Sequence, residues 1–355
     1  MVKRFPLKRF FQETQKKWSQ LPDNRKASPN KKYDLSDAVN SAMSVFVMQS
    51  PSFLDHNQRM NGKQNGKNNL QTLFDVKHVP SDNQIRNLID PISSDHFASQ
   101  YHWVWQKLRE YGVLDQYQSP LRTLSIALDG MTYHSSRKIH CPNCSTRKDR
   151  NGDLHYYHSA LLPVVVKPNC PHVIPLFPEM ITPQDGHEKQ DCERNAARRW
   201  ISKQRDWFSP KSVTYLGDDL YAYHDLCQQI SGQGQYFIFV CKPESHIGLY
   251  RWLDVLTVET ISERVWTGSR GELHHYSWVN DIPIREGDSI RGSWCEWKIT
   301  DETTGAVIYH NSWFTNHWLH VYNVKAVCQE GRSRWKVENE GINVSAQIFG
   351  EAGKA

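Results

Sequence analysis

Two apolar runs of this chain each close on aspartate: Thr123-Leu124-Ser125-Ile126-Ala127-Leu128-Asp129 and Val213-Thr214-Tyr215-Leu216-Gly217-Asp218-Asp219. Both read as strands, and helical segments lie between and after them. That alternation predicts an α/β sheet with crossover helices. Near the C-terminus, Arg334-Trp335-Lys336-Val337-Glu338-Asn339 spaces an arginine and a glutamate by four residues. On a helix those two side chains share a face. Two strand-end aspartates and one helical glutamate are a donor set for a pair of divalent cations in phosphoryl transfer.

The chain has 355 residues, enough for two or three structural units. No apolar run approaches the roughly 20 residues needed to span a bilayer, and the N-terminus lacks the apolar core of an export signal. A cytoplasmic protein is expected. The net charge of +5 is unevenly placed, because residues 1–33 hold ten Lys or Arg against Glu13 and Asp23. A basic arm of this kind suits contact with a phosphate backbone. Its Phe5, Phe10, Phe11 and Trp18 point to a segment that orders on a partner. Eight irregularly spaced cysteines in a long chain without an export signal do not form a disulfide framework.

Residues 37–48 carry apolar positions at helical spacing, with Ser36 as the expected cap. Residues 55–69 are Gly- and Asn-rich and read as a loop. Ser81-Asp82-Asn83-Gln84 is a capping box for a short helix, and Phe97, Tyr101, Val104, Trp105 and Leu108 predict another that stops at Gly112. After Pro120 the pattern turns to strands, with helices predicted at 187–205 and 221–230. Residues 251–313 are strand-rich and read as an insertion before the last helices, at 316–327 and 334–344. The expected organisation is a basic arm (1–33), a helical DNA-binding unit (34–115), the first part of the core (116–250), a β-rich insertion (251–313) and the last part of the core (314–355).

With these elements in place, the chain resembles the DDE transposases of bacterial insertion sequences, in the group with a β-strand insertion before the glutamate. The matching stretches are Leu128-Asp129-Gly130-Met131-Thr132-Tyr133, Leu216-Gly217-Asp218-Asp219-Leu220-Tyr221, Trp313-Phe314-Thr315-Asn316 and Arg334 to Asn339. The segment Ile181 to Glu193, with Gln184-Asp185-Gly186-His187 and Gln190-Asp191-Cys192-Glu193, is similar to one subgroup. The resemblance spans residues 37–343. It implies an RNase H-like mixed-sheet core with an inserted β-rich subdomain and an N-terminal helical unit. Asp129, Asp218 and Glu338 would be the catalytic triad that holds two Mg2+ ions. Asp219 is the rival for the second place, set aside because the related pattern puts the aspartate three residues before a tyrosine, here Tyr221. Arg334, Lys336 and Arg332 would meet DNA.

The implied partner is double-stranded DNA, both transposon ends and target, bound by a homodimer at the nucleoid. Relatives carry a tyrosine at the place of Gly331 and a lysine at that of Ser345, and their tails are longer. A DNA-binding protein without catalysis, inactive or truncated, is therefore the second reading. Separately, Cys141-Pro142-Asn143-Cys144 is half of a tetrahedral zinc site. His187 and Cys192 are the favoured completing ligands, with Cys170, His172, His155 and His158 as alternatives. A zinc-dependent hydrolase centred on Cys141, His187 and Asp191 is the third reading.

Overall fold

The computed structural model describes residues 6–26, 31–62, 66–185, 190–267, 270–285 and 287–337. The chain divides into two compact units, Met1–Val113 and Leu114–Ala355. No described helix is long and apolar enough to cross a membrane.

The first unit is helical: α1 (Leu7–Trp18), α2 (Leu35–Val47), α3 (Phe53–Asn61), α4 (Gly66–Phe74), α5 (Asp82–Ile89) and α6 (Ala98–Glu110). The expected loop at 55–69 is instead mostly helix. Ser52 starts α3 by accepting the Asp55 amide at 3.0 Å. Met60, Leu70 and Phe74 then bury their side chains with Phe11 and Val76. The Ser81 hydroxyl caps α5 through the Gln84 amide, as the capping box requires. α2 begins at Leu35, with Asp34 rather than Ser36 as its cap residue. Gly112 takes φ of +72° just past α6, a conformation that glycine adopts without a Cβ penalty.

Most of the basic arm is part of this unit. Its α1 buries Phe11, stacks Phe10 on Trp103 at 5.0 Å and sets Trp18 edge-on to Phe97. Three of the four aromatics that suggested an external partner thus find internal ones. Phe5 lies outside the described residues.

The second unit is mixed α/β. Its elements in order are β1 (Leu124–Ser136), β2 (Ser145–Lys148), β3 (Leu154–Val166), β4 (Ile174–Pro175), β5 (Glu179–Ile181), α7 (Glu193–Lys203), β6 (Val213–Gly217), α8 (His224–Gly232) and β7 (Tyr236–Val240). Then follow α9 (Ile247–Leu253), β8 (Glu259–Thr267), β9 (Arg270–Pro283), β10 (Arg291–Asp301), β11 (Val307–Thr315) and α10 (Val324–Ser333). All eleven strands join one sheet in the order β2-β3-β1-β6-β7-β11-β10-β9-β8, with β4 and β5 also paired to β3. β3 is antiparallel to β1, whereas β6 and β7 run parallel to it.

Residues 251–313 do not form a separate subdomain. β11 pairs with β7, Trp313 beside Val240 and Thr315 beside Ile238, so the four later strands extend the central sheet. Every residue of β6 is buried, as befits a parallel strand covered on both faces. Ala127, Leu216 and Ile238 pack on one face with Val324, Val327 and Cys328 of α10. Tyr215 alternates to the other face and meets Trp200 of α7 edge-on at 6.5 Å.

Candidate active site

β1 and β6 align Leu124 with Val213 and Ala127 with Leu216. The ladder ends at that pair; Asp129 follows it by two residues in β1 and Asp218 comes directly after Gly217, the last residue of β6, and the charges of both act on Tyr221. Alternation along β1 turns Asp129 toward the face occupied by Ala127 and α10. Asp129 Oδ1 accepts the Gly130 amide at 3.1 Å. Asp218 caps the 3-10 turn Asp219–Tyr221, its Oδ1 accepting the Leu220 amide at 2.9 Å.

Arg334 closes α10 and brings Nη1 to 3.8 Å from Asp129 Oδ2. Asp219 is engaged elsewhere: its Oδ1 accepts the Lys242 amide at 2.8 Å and lies 3.2 Å from His246 Nε2.

A third acidic group enters from α7. Glu193 is the first residue of that helix, and its Oε1 accepts the Tyr221 hydroxyl. A Cβ on Gly130 would come within 2.1 Å of Glu193 Oε2, so the glycine makes room for this carboxyl. Burial pushes the Glu193 carboxyl up from the ordinary range, and the Asp218 charge adds to that. The Tyr221 hydroxyl, the Gly130 amide and Arg334 pull the other way. Burial, the charges of Glu193, Asp129 and Asp218, and the hydrogen bond to Glu193 raise Tyr221 far above its usual value. Sequence reasoning missed Glu193 as a site residue. Its signal was an acid opening a helix, two residues after Asp191 and three before the buried Ala196-Ala197 pair.

Three carboxyl groups around one arginine leave an excess of negative charge among these residues. Close carboxylates cannot all stay ionised without a cation between them, and hard oxygen donors suit Mg2+. Asp129 and Asp218 offer such oxygens where β1 and β6 end their ladder, but the three carboxyl groups do not converge within reach of one ion among the described residues.

Glu338 and His187 lie outside the described residues. Arg332 is laid over Trp297 and Tyr309, its guanidinium carbon 5.1 and 4.5 Å from the ring centres. Lys336 is buried, its ammonium donating to the Cys170 carbonyl. Beside Arg332 and Arg334 opens a cavity of about 320 Å3 that also touches Val240, Tyr309 and Asn311.

Cys141 and Cys144 lie together with His158, not with Cys192. Cys192 is exposed at the start of α7, where it acts electrostatically on Tyr223. His155 is 3.1 Å from Asp149 instead. Asp191, part of the hydrolase reading, is buried and gripped by both terminal nitrogens of Arg199 at 3.0 and 2.8 Å. That bidentate pair ties it to the fold.

No protein-family model matches the sequence, and no curated protein matches it. Among solved structures, the chain is similar to a piggyBac transposase synaptic complex with hairpin DNA, at TM-score 0.40 and 7% identity, over 97% of this chain and 67% of that one.

Proposed function

We propose that this chain is a DDE-type transposase with an RNase H-like core, which cuts and joins insertion-sequence DNA ends by metal-dependent phosphoryl transfer. The observation that carries this reading is that Asp129 and Asp218 both follow the same end of the parallel β1–β6 ladder, with Arg334 at 3.8 Å from Asp129. Glu338, four residues beyond Arg334 in the sequence, would supply the third carboxylate of the triad, and Glu193 adds a buried carboxyl held by the Tyr221 hydroxyl.

Asp129 and Asp218 would hold the divalent cations. When bound, such ions activate water or a DNA 3′-hydroxyl and neutralise charge on the leaving oxygen. Arg334 offers a planar donor fork to the scissile phosphate. Tyr221 fixes the Glu193 carboxyl, and Gly130 leaves it space. A homodimer brings two ends together, and the basic α1 supplies charge for the DNA backbone.

The test is cleavage of the element's own terminal sequence in Mg2+. Asp129→Asn, Asp218→Asn and Glu338→Gln are each expected to lower cleavage by at least 1,000-fold, within the span that metal and electrostatic stabilisation supply. DNA binding should persist. Glu193→Gln should retain cleavage but require more Mg2+. Undiminished cleavage by Asp129→Asn or Asp218→Asn removes that residue from the site. Salt-sensitive binding without cleavage by the wild-type protein favours the DNA-binding reading instead.

A further inference from the structure

We propose that Cys141, Cys144 and His158 bind a zinc ion that clamps the loop between β1 and β2 onto β3. The two sulfurs stand 3.9 Å apart, and each lies 3.3 Å from His158 Nε2. Ligands on a tetrahedral zinc, with Zn–S about 2.3 Å and Zn–N about 2.05 Å, are separated by about 3.8 Å for S···S and about 3.6 Å for S···N. The triangle matches that of ligands converging on one ion. It is the only group of three or more potential ligands within such reach among the described residues.

Local structure builds this triangle from the sequence. Pro142 and Asn143 occupy the middle of a β-turn closed by the Cys144 amide on the Cys141 carbonyl at 3.1 Å. The Cys141 amide donates back to Cys144 Sγ at 3.3 Å, which fixes that sulfur within the turn. β2 pairs Ser145 with Tyr157, so Cys144 arrives beside His158. The imidazole is stacked on Tyr133 at 5.7 Å and 15°, which sets its plane. Gln184 donates to the Pro142 carbonyl at 2.7 Å, buttressing the turn from outside.

Two thiolates and an imidazole select a borderline-soft cation over Mg2+ or Ca2+. The site is separate from the carboxylates: it holds the far end of β1, whose Asp129 lies five residues before His134, the cross-strand partner of His158. Its role is to fix that end of the β1–β3 hairpin.

The full chain, purified in reducing buffer without chelator, is expected to hold one zinc per chain by plasma mass spectrometry. Cys141→Ser, Cys144→Ser and His158→Ala should each lower that to a tenth or less, whereas His158→Cys and Cys170→Ser should keep it. Cobalt substitution of the wild type should give the visible bands of a tetrahedral ion with thiolate charge transfer. If the variants fail to fold, alkylation mapping of the wild type decides: Cys141 and Cys144 should be protected until a chelator is added. Wild-type protein without stoichiometric zinc, or Cys141 alkylated equally with and without chelator, overturns the proposal. Zinc retained by His158→Ala overturns the ligand set.

Discussion

Burial drives His317 and Glu330 in opposite directions with pH. His317 is 9% exposed, stacked on Tyr236 at 4.1 Å, with Nε2 3.1 Å from the Thr214 hydroxyl. Burial pulls its pKa down to about 4 from 6.5. The unfolded chain therefore binds the proton first, and stability present above pH 6.5 is lost as pH falls toward 4, by roughly 3 kcal/mol at most. Glu330 has no exposed surface, accepts the Ser125 hydroxyl at 2.6 Å, and is pushed up by burial from 4.5 to about 7. Here the folded state keeps the proton longer, so stability falls as pH rises from 4.5 to 7 and is level above that. The two slopes oppose each other between pH 4.5 and 6.5. Glu330→Gln is expected to gain up to about 3 kcal/mol over wild type above pH 7 and nothing at pH 4.5. His317→Asn should flatten the acid limb. Urea unfolding at stepped pH checks both, and wild-type slopes in both variants would assign the pH dependence to other groups.

Helix α10 shows how one small residue sets an element's position. A Cβ on Gly331 would fall 2.5 Å from Nε1 of Trp313, which is fully buried and cannot swing away. Glycine fits at this position because the Trp313 indole occupies the space a side chain would take. Helix propensity alone predicts that Gly331→Ala stabilises by about 1 kcal/mol, whereas forcing a methyl into a filled core costs roughly 1–3 kcal/mol. We expect a net loss of about 1 kcal/mol and a lower melting temperature; a higher one would show that α10 moves off β11 easily. Elements with local signals were legible in the sequence: the apolar runs of β1 and β6, the Ser81 capping box, the Gly112 stop. α3 and α4 were not, because Asn and Gly mask a sparse apolar face around Met60 and Leu70. The β7–β11 pairing was illegible for another reason, since it joins residues far apart in sequence and leaves no periodic trace. The helix expected at 316–327 starts only at Val324 and runs to Ser333, because the turn beginning at Asn316 is fixed by its side chain on the Phe237 amide; most of the one expected at 334–344 lies outside the described residues. At the site, both aspartates could be picked out as strand ends, but Glu193 becomes visible only when α7 is packed beside β1.

Charge is divided between the two units as sharply as structure is. Residues 1–113 carry 17 Lys or Arg against 10 Asp or Glu, a balance of +7, and the other 242 residues carry −2. The chain's positive charge is thus concentrated on the helical unit. Within α1, Arg9 is paired with Glu13 at 2.8 Å and Lys17 lies over Trp103 at 5.7 Å, whereas Lys8 and Lys16 are exposed. Eight residues apart on a helix, these two project about 80° from each other around its axis. A phosphate contact releases counterions and contributes about −0.9 to the slope of log K against log salt. Lys8→Gln with Lys16→Gln in the full chain should therefore flatten that slope by about 2 for duplex DNA of any sequence, leaving the buried Phe11 core and thermal stability unchanged. Fluorescence anisotropy across a salt series measures it. An unaltered slope would place the DNA backbone on another face of the molecule, and the positive charge of α1 would then serve solubility alone.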